Sequence, residues 1–144
     1  MIERLKLAQH ALFGGLTEEQ LALVLPHLRR ESFEPGAWII RQGEQGDRLY
    51  FIAEGGVQVS QTNPRVVILA ELGVGEAFGE MELIDTQPRS ASVQALTKLE
   101  TYSLSQHDLH ALNSEHPQIF TMIVLGLARV LCRRLRIINA RLQS

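Results

Sequence analysis

The chain has one cysteine, Cys132, among 144 residues, so it forms no internal disulfide and nothing in it calls for an oxidising compartment. It lacks any apolar run approaching membrane-spanning length. The opening residues MIERLKLAQHALF thread charges through their apolar positions, where a signal peptide would hold a continuous apolar stretch. A soluble, cytoplasmic chain with no membrane partner is expected. Internal repeats and low-complexity tracts are missing too. No Gly-Lys-Ser or Gly-Lys-Thr follows the glycines between Gly73 and Gly79, which excludes a nucleotide-hydrolysing P-loop. Histidines are missing from the strand-like segments. His10, His27, His107, His110 and His116 all fall in or beside expected helices, and a metal site inside a barrel, as in cupins, is disfavoured. His107 and His110 share a helix face and read as solvated surface. Cys132 has no histidine close in sequence to activate it and reads as a buried or idle thiol. With no nucleophile set beside a base, the chain is not expected to be an enzyme, and no metal or cofactor is expected.

What the chain does contain is ordinary globular material, 45% hydrophobic and 21% charged, enough to hide roughly 70% of its extended surface in one domain. A net charge of −2 gives no pull toward nucleic acid or an anionic membrane. The distribution is uneven. Between Glu71 and Asp85 stand Glu76, Glu80 and Glu82 with no Lys or Arg, whereas after Glu115 there is no acid, only Arg129, Arg133, Arg134, Arg136 and Arg141. Those arginines either solvate a helix face or serve a ligand or partner.

Three regions follow from the patterning: helix, a long β section, helix. Leu5, Leu7, Ala8, Ala11 and Leu12 predict a short helix closed by a left-handed turn at Gly14-Gly15. Thr17-Glu18-Glu19-Gln20 is a capping box and predicts a helix from Thr17 to about Leu28. After the turn signal Glu34-Pro35-Gly36, short apolar runs of strand length begin at 38–40, 49–52, 57–59 and 66–69, and two alternating segments follow at 92–96 and 99–104. Short strands at regular spacing predict a sandwich or jelly-roll barrel. Ser105 to Asp108 repeats the capping signature and opens a short helix to about Ser114. A long helix starts near Pro117, with Phe120, Ile123, Val124, Leu127, Val130, Leu131, Leu135, Ile138 and Leu142 at steps of three and four. That stripe either packs on the chain's own barrel or forms a dimer seam; Arg134 interrupts a strict heptad.

The segment Phe78-Gly79-Glu80-Met81-Glu82 to Pro88-Arg89-Ser90-Ala91-Ser92-Val93 carries the chemistry. Gly79 lets the backbone approach a ligand, and Glu80 to Ile84 can form a helical turn whose free N–H groups face an anion. Arg89 offers a planar fork of donors that fits two phosphate oxygens. Glu80 can only accept hydrogen bonds, so a ribose hydroxyl is its natural target. The alternative for Glu80 and Arg89 is a buried structural ion pair.

Phe-Gly-Glu, Met-Glu-Leu and Pro-Arg-Ser-Ala-Ser-Val together resemble the phosphate-binding cassette of cyclic-nucleotide-binding domains, as in bacterial catabolite activators and protein kinase A regulatory subunits. Residues 35–55, with their spaced glycines, resemble the same family's early strands, and with the flanking helices the likeness covers nearly the whole chain. It implies an α+β fold: an eight-stranded β jelly-roll barrel, or double-stranded β-helix, flanked by N-terminal helices and a short plus a long C-terminal helix. One domain would span 1–144, with N-terminal helices over 1–29, the β-roll over 30–104, the cassette at 78–93 and C-terminal helices over 105–144. The resemblance further implies that Phe78, Gly79, Glu80, Met81, Glu82, Arg89, Ser90, Ala91 and Ser92 bind a cyclic nucleoside monophosphate, cyclic AMP being expected ahead of cyclic GMP. Glu80 would take the ribose 2′-hydroxyl, Arg89 the cyclic phosphate, and Ser90 with the Ala91 N–H the rest of the phosphate. Arg133, Arg134, Ile137 and Ile138 are lid candidates over the base by position.

Glu82 departs from the family pattern, which commonly has a small residue there. Two like charges about 4 Å apart at an effective dielectric near 20 repel by roughly 4 kcal/mol, so Glu82 is expected to point away from the phosphate. Transcription factors of the family continue into a helix-turn-helix after the long helix; the chain stops at Ser144, so direct DNA binding is not expected. The implied role is a regulatory sensor that signals through its C-terminal helix to an unidentified effector protein. The alternative is a ligand-independent dimerisation or docking module.

Overall fold

In the computed structural model, which describes residues 12–62, 64–79 and 87–143, Thr17 caps helix α1 (Glu18–Val24). Its Oγ1 accepts the Gln20 N–H at 3.1 Å, and Gln20 Oε1 accepts the Thr17 N–H at 3.0 Å. The α-helix ends at Val24, short of the expected Leu28. Pro26 brings no N–H and its ring crowds the carbonyl one turn back, so Leu25–His27 tightens into a 3-10 turn. The helix expected before Gly14 falls largely outside the described residues. Gly15 is not left-handed as expected; its missing Cβ instead leaves room for Met122 Cε.

Among the described residues eight strands follow: β1 (Arg29–Phe33), β2 (Trp38–Ile40), β3 (Arg48–Glu54), β4 (Val57–Thr62), β5 (Val66–Leu72), β6 (Ala77–Phe78), β7 (Ser92–Ala95) and β8 (Leu99–Ser105). They make two four-stranded antiparallel sheets, ordered β1-β8-β3-β6 and β2-β7-β4-β5, the jelly-roll arrangement in which chain neighbours are divided between sheets. Tyr50, Ile52, Phe78 and Leu99 from the first sheet meet Ile40, Val57, Val93 and Ala95 from the second to form the core between them. The Tyr50 and Phe78 rings stack with centroids 5.1 Å apart. Strands β3 and β8 are buried on both faces, which explains why LYFI reads as a run; β8 instead alternates in sequence and buries Thr101 and Ser103 along with its apolar residues.

Two of the eight strands leave no pattern in the sequence that locates them. The β6 strand is only two residues long, and β1 turns Arg29 and Glu31 inward. Register sets Arg29 opposite Ser103, Ser103 opposite Tyr50, and Tyr50 opposite Phe78, so this row shares the inner face. Charged inward positions gave no apolar pattern to read.

Helix α2 (Gln106–Glu115) is capped by Ser105, and α3 (Pro117–Gln143) runs on from it after His116. The chain forms two compact units: a roll unit, His27–Asp108, and a helical unit drawn from the residues before His27 and after Asp108. Within the helical unit the Leu12 backbone passes so close over Gly126 that no side chain would fit there. Among the described residues, no helix is long and apolar enough to cross a membrane, and no three His, Cys, Asp or Glu side chains are grouped to hold a metal ion. Cys132 is exposed rather than buried.

Candidate functional site

Arg89 is the one arginine among the described residues that is fully buried, 5% exposed, and it lies within the roll unit. Two of its bonds go to main-chain carbonyls: Nη1 donates to Gly79 O at 2.9 Å and Nη2 to Arg48 O at 3.0 Å. These acceptors hold the guanidinium plane without bringing a formal negative charge, so they position the cation and leave its charge in place. Gly79 makes this possible. Its φ of +86° turns the chain at the end of β6, and a Cβ there would sit 2.8 Å from Arg48 O and 3.0 Å from Arg89 Nη1.

The main chain of Arg89 is fixed from the loop between β2 and β3. Its N–H donates to Glu44 O and its carbonyl accepts the Gly43 N–H, both at 2.8 Å. The same loop and the end of β4 meet each other and the neighbouring cassette residues. The Gln42 N–H donates to Ser92 Oγ at 2.8 Å, Gln42 Oε1 accepts the Thr62 N–H at 2.8 Å, and Gln61 Nε2 donates to Ser90 O at 3.0 Å. Gly46, on the same loop, lies against the guanidinium itself: a Cβ there would overlap Arg89 Nε and Cζ. Sequence reasoning missed this supporting loop. The spacing Gly-Glu-Gln-Gly at 43–46 was its visible trace, but a glycine that exists to admit an arginine 43 positions away leaves no local pattern.

The inner face of the first sheet adds further cations. Arg48 Nη1 donates to Ser103 Oγ at 3.1 Å, and Arg29 Nη2 lies 2.6 Å from Glu31 Oε1. That carboxylate oxygen is buried with no hydrogen bond aligned on it, so its attraction to Arg29 is Coulombic rather than directional. Burial first, and the Glu31 carboxylate second, push the Tyr50 phenol above its usual range, against the opposing pull of Arg29, Arg48 and Arg89. Tyr50 therefore stands in the roll as a neutral hydroxyl with three guanidinium groups close enough to act on it.

The structure brings Phe78, Gly79 and Arg89 together. Phe78 is buried on Tyr50. Ser90 is exposed and Ala91 half-buried, and the Ser92 hydroxyl accepts from the Gln42 N–H. Glu80, Met81 and Glu82 lie outside the described residues, as do the expected helical turn from Glu80 to Ile84, the direction of Glu82 and the pairing of Glu80 with Arg89. Arg133, Arg134, Ile137 and Ile138 lie on α3; Arg134 is half-buried and Ile137 and Ile138 are exposed. What the described part can do chemically is offer a planar, buried cation and adjacent backbone to a compact oxyanion.

The model of the family described as "Cyclic nucleotide-binding domain" matches residues 30–116. A cyclic nucleotide-gated potassium channel of Mesorhizobium japonicum is 43% identical over 75% of this chain and 29% of its own length. The cyclic AMP receptor protein of Thermus thermophilus is 39% identical over 87% of this chain and 57% of its own. The chain thus spans about a third to three fifths of these relatives. Among solved structures, a cyclic nucleotide-binding domain from Methylobacillus flagellatus superposes with a TM-score of 0.90 at 25% identity, covering 97% of this chain and 82% of that one.

Proposed function

Because the chain belongs to the cyclic nucleotide-binding domain family, we propose that it is a regulatory sensor module that grips a cyclic nucleoside monophosphate and transforms nothing. Its cyclic phosphate seats on Arg89, Ser90 and the Ala91 N–H, its ribose on Glu80, with Gly79 letting the backbone close in. Cyclic AMP is the preferred ligand, in line with the name of the Thermus relative. The base lies under Arg133, Arg134, Ile137 and Ile138, and the resulting shift of α3 passes the signal to an effector protein in the cytoplasm. The observation that carries this reading is the buried Arg89 guanidinium, oriented by two carbonyls rather than left to solvent. Calorimetric titration with cyclic AMP and cyclic GMP tests it. Arg89→Ala should lose about 3 kcal/mol of binding, more than a hundredfold, and Arg89→Lys most of that, because a point charge cannot replace the fork. Unchanged binding in Arg89→Ala overturns the assignment.

A second reading rests on α3. Ile119, Ile123, Leu127 and Val130 are buried, but Val124, Ala128, Leu131, Leu135, Ile138 and Leu142 form another row. Its steps alternate between four and three, a strict heptad, and Arg134 stands beside this row rather than in it. All six but half-buried Leu131 are exposed. This row is the seam of a homodimer, which serves the sensor and its ligand-independent alternative equally.

A further inference from the structure

His27 and Asp108 stand 81 positions apart, and they are the first and last residues of the roll unit. Between them lie the eight strands of the described residues. Their side chains meet: His27 Nδ1 lies 3.0 Å from Asp108 Oδ1, with both groups about three-quarters buried. The other carboxylate oxygen accepts from Ser105 Oγ at 2.8 Å, and the Asp108 N–H donates back to Ser105 Oγ at 3.0 Å. The residue types are those of a hydrolytic triad, but the connections are not. The Ser105 hydroxyl donates to the aspartate instead of the imidazole, so no base stands at the serine oxygen.

The contact does join two distant points of the chain to the Arg89 loop. Gln106, in the turn of α2 that carries Asp108, donates its N–H to Asp47 O at 2.8 Å. Asp47 follows Gly46, whose backbone abuts the Arg89 guanidinium. A displacement of Arg89 therefore has a contiguous route, by packing against Gly46, along the chain to Asp47, by hydrogen bond to Gln106 and on to Asp108, and from there across to His27.

We propose that the His27–Asp108 bond is a clasp across the two ends of the roll unit. Through it the Arg89 loop acts on the segment leading into the roll and the segment leaving it as one, rather than on the C-terminal helices alone. This rests on the reading of Arg89 as a ligand clamp, so the test separates the two. Hydrogen exchange would be followed by mass spectrometry on the full chain, with and without saturating cyclic AMP, alongside calorimetric affinity. His27→Ala should bind cyclic AMP within about threefold of the parent. Without ligand, its amides at 28–30 and 109–112 should exchange roughly fivefold faster, the order expected for one partly exposed charge-assisted bond. His27→Asn, whose amide can donate where Nδ1 does, should restore exchange to within about twofold. The ligand-induced change at 18–27 should vanish in His27→Ala while that at 106–115 remains. If it persists at 18–27 in His27→Ala, the clasp does not transmit and the proposal is overturned. If the parent chain binds no cyclic nucleotide, the sensor reading fails by itself. The clasp is then judged on the ligand-free rates: equal acceleration at both ends in His27→Ala and Asp108→Ala, no greater in the double variant, supports it, and acceleration at one end only refutes it.

Discussion

Gly46 lies against the Arg89 guanidinium so closely that a Cβ on Gly46 would occupy the space of Nε and Cζ. The atoms that would have to move belong to the far end of a flexible side chain, not to backbone. Gly46→Ala should therefore leave the roll standing and swing the guanidinium out of the plane set by Gly79 O and Arg48 O. The expected result is a loss of cyclic nucleotide affinity of at least about tenfold, the size of one charge-assisted bond misaligned. The melting temperature should fall by no more than a few degrees. Calorimetry and thermal melts on the same sample check it. Affinity that survives would mean that Arg89 does not touch the ligand.

How far these features could be read in advance depends on the range over which the forces act. The Thr17–Gln20 box and the Ser105–Asp108 cap are closed by residues three apart, and both were legible because the partners share one turn of chain. Six strands were visible, four as apolar runs and two as alternations, yet their ends were not. Thr62 and Leu72 extend β4 and β5 because they pair with each other's strands, a matter of register rather than propensity. Strand β1 was hidden by the inward Arg29 and Glu31, which only the folded roll can pair. In the site, Arg89 announced itself by its place in a motif. The loop that aims it did not, since Gly43, Glu44 and Gly46 meet it only after the two sheets close.

Asp108 gives a dependence on pH. Burial alone would raise its carboxyl, but hydrogen bonds from His27 and Ser105 outweigh that and hold it below its usual value. The folded chain thus binds this proton less tightly than the unfolded chain does. The contribution to stability is complete above the ordinary carboxylate range and is lost as the pH falls through about 4 toward the lower folded value. Asp108→Asn should cost on the order of 1 kcal/mol in urea unfolding at pH 7, and the gap from the parent should narrow toward pH 3. A gap of the same size at both pH values would show that the charge on Asp108 plays no part.

The heptad row on α3 separates assembly from ligand binding. Leu135 and Leu142 are 58% and 80% exposed within one chain, so lysine at both should cost the monomer little, within the usual range for surface substitutions. In a parallel pair the two leucines occupy equivalent core positions seven residues apart, where each buried side chain contributes about 1.5–3 kcal/mol, and a lysine there would bring charge into the seam. The double variant Leu135→Lys, Leu142→Lys should therefore weaken dimerisation more than a hundredfold in sedimentation experiments while the roll still takes up cyclic AMP. A parent chain that stays monomeric at high micromolar concentration would remove the seam altogether. A variant that loses dimer and nucleotide together would mean that pairing of α3 builds part of the ligand site, because neither leucine belongs to the residues assigned to the nucleotide.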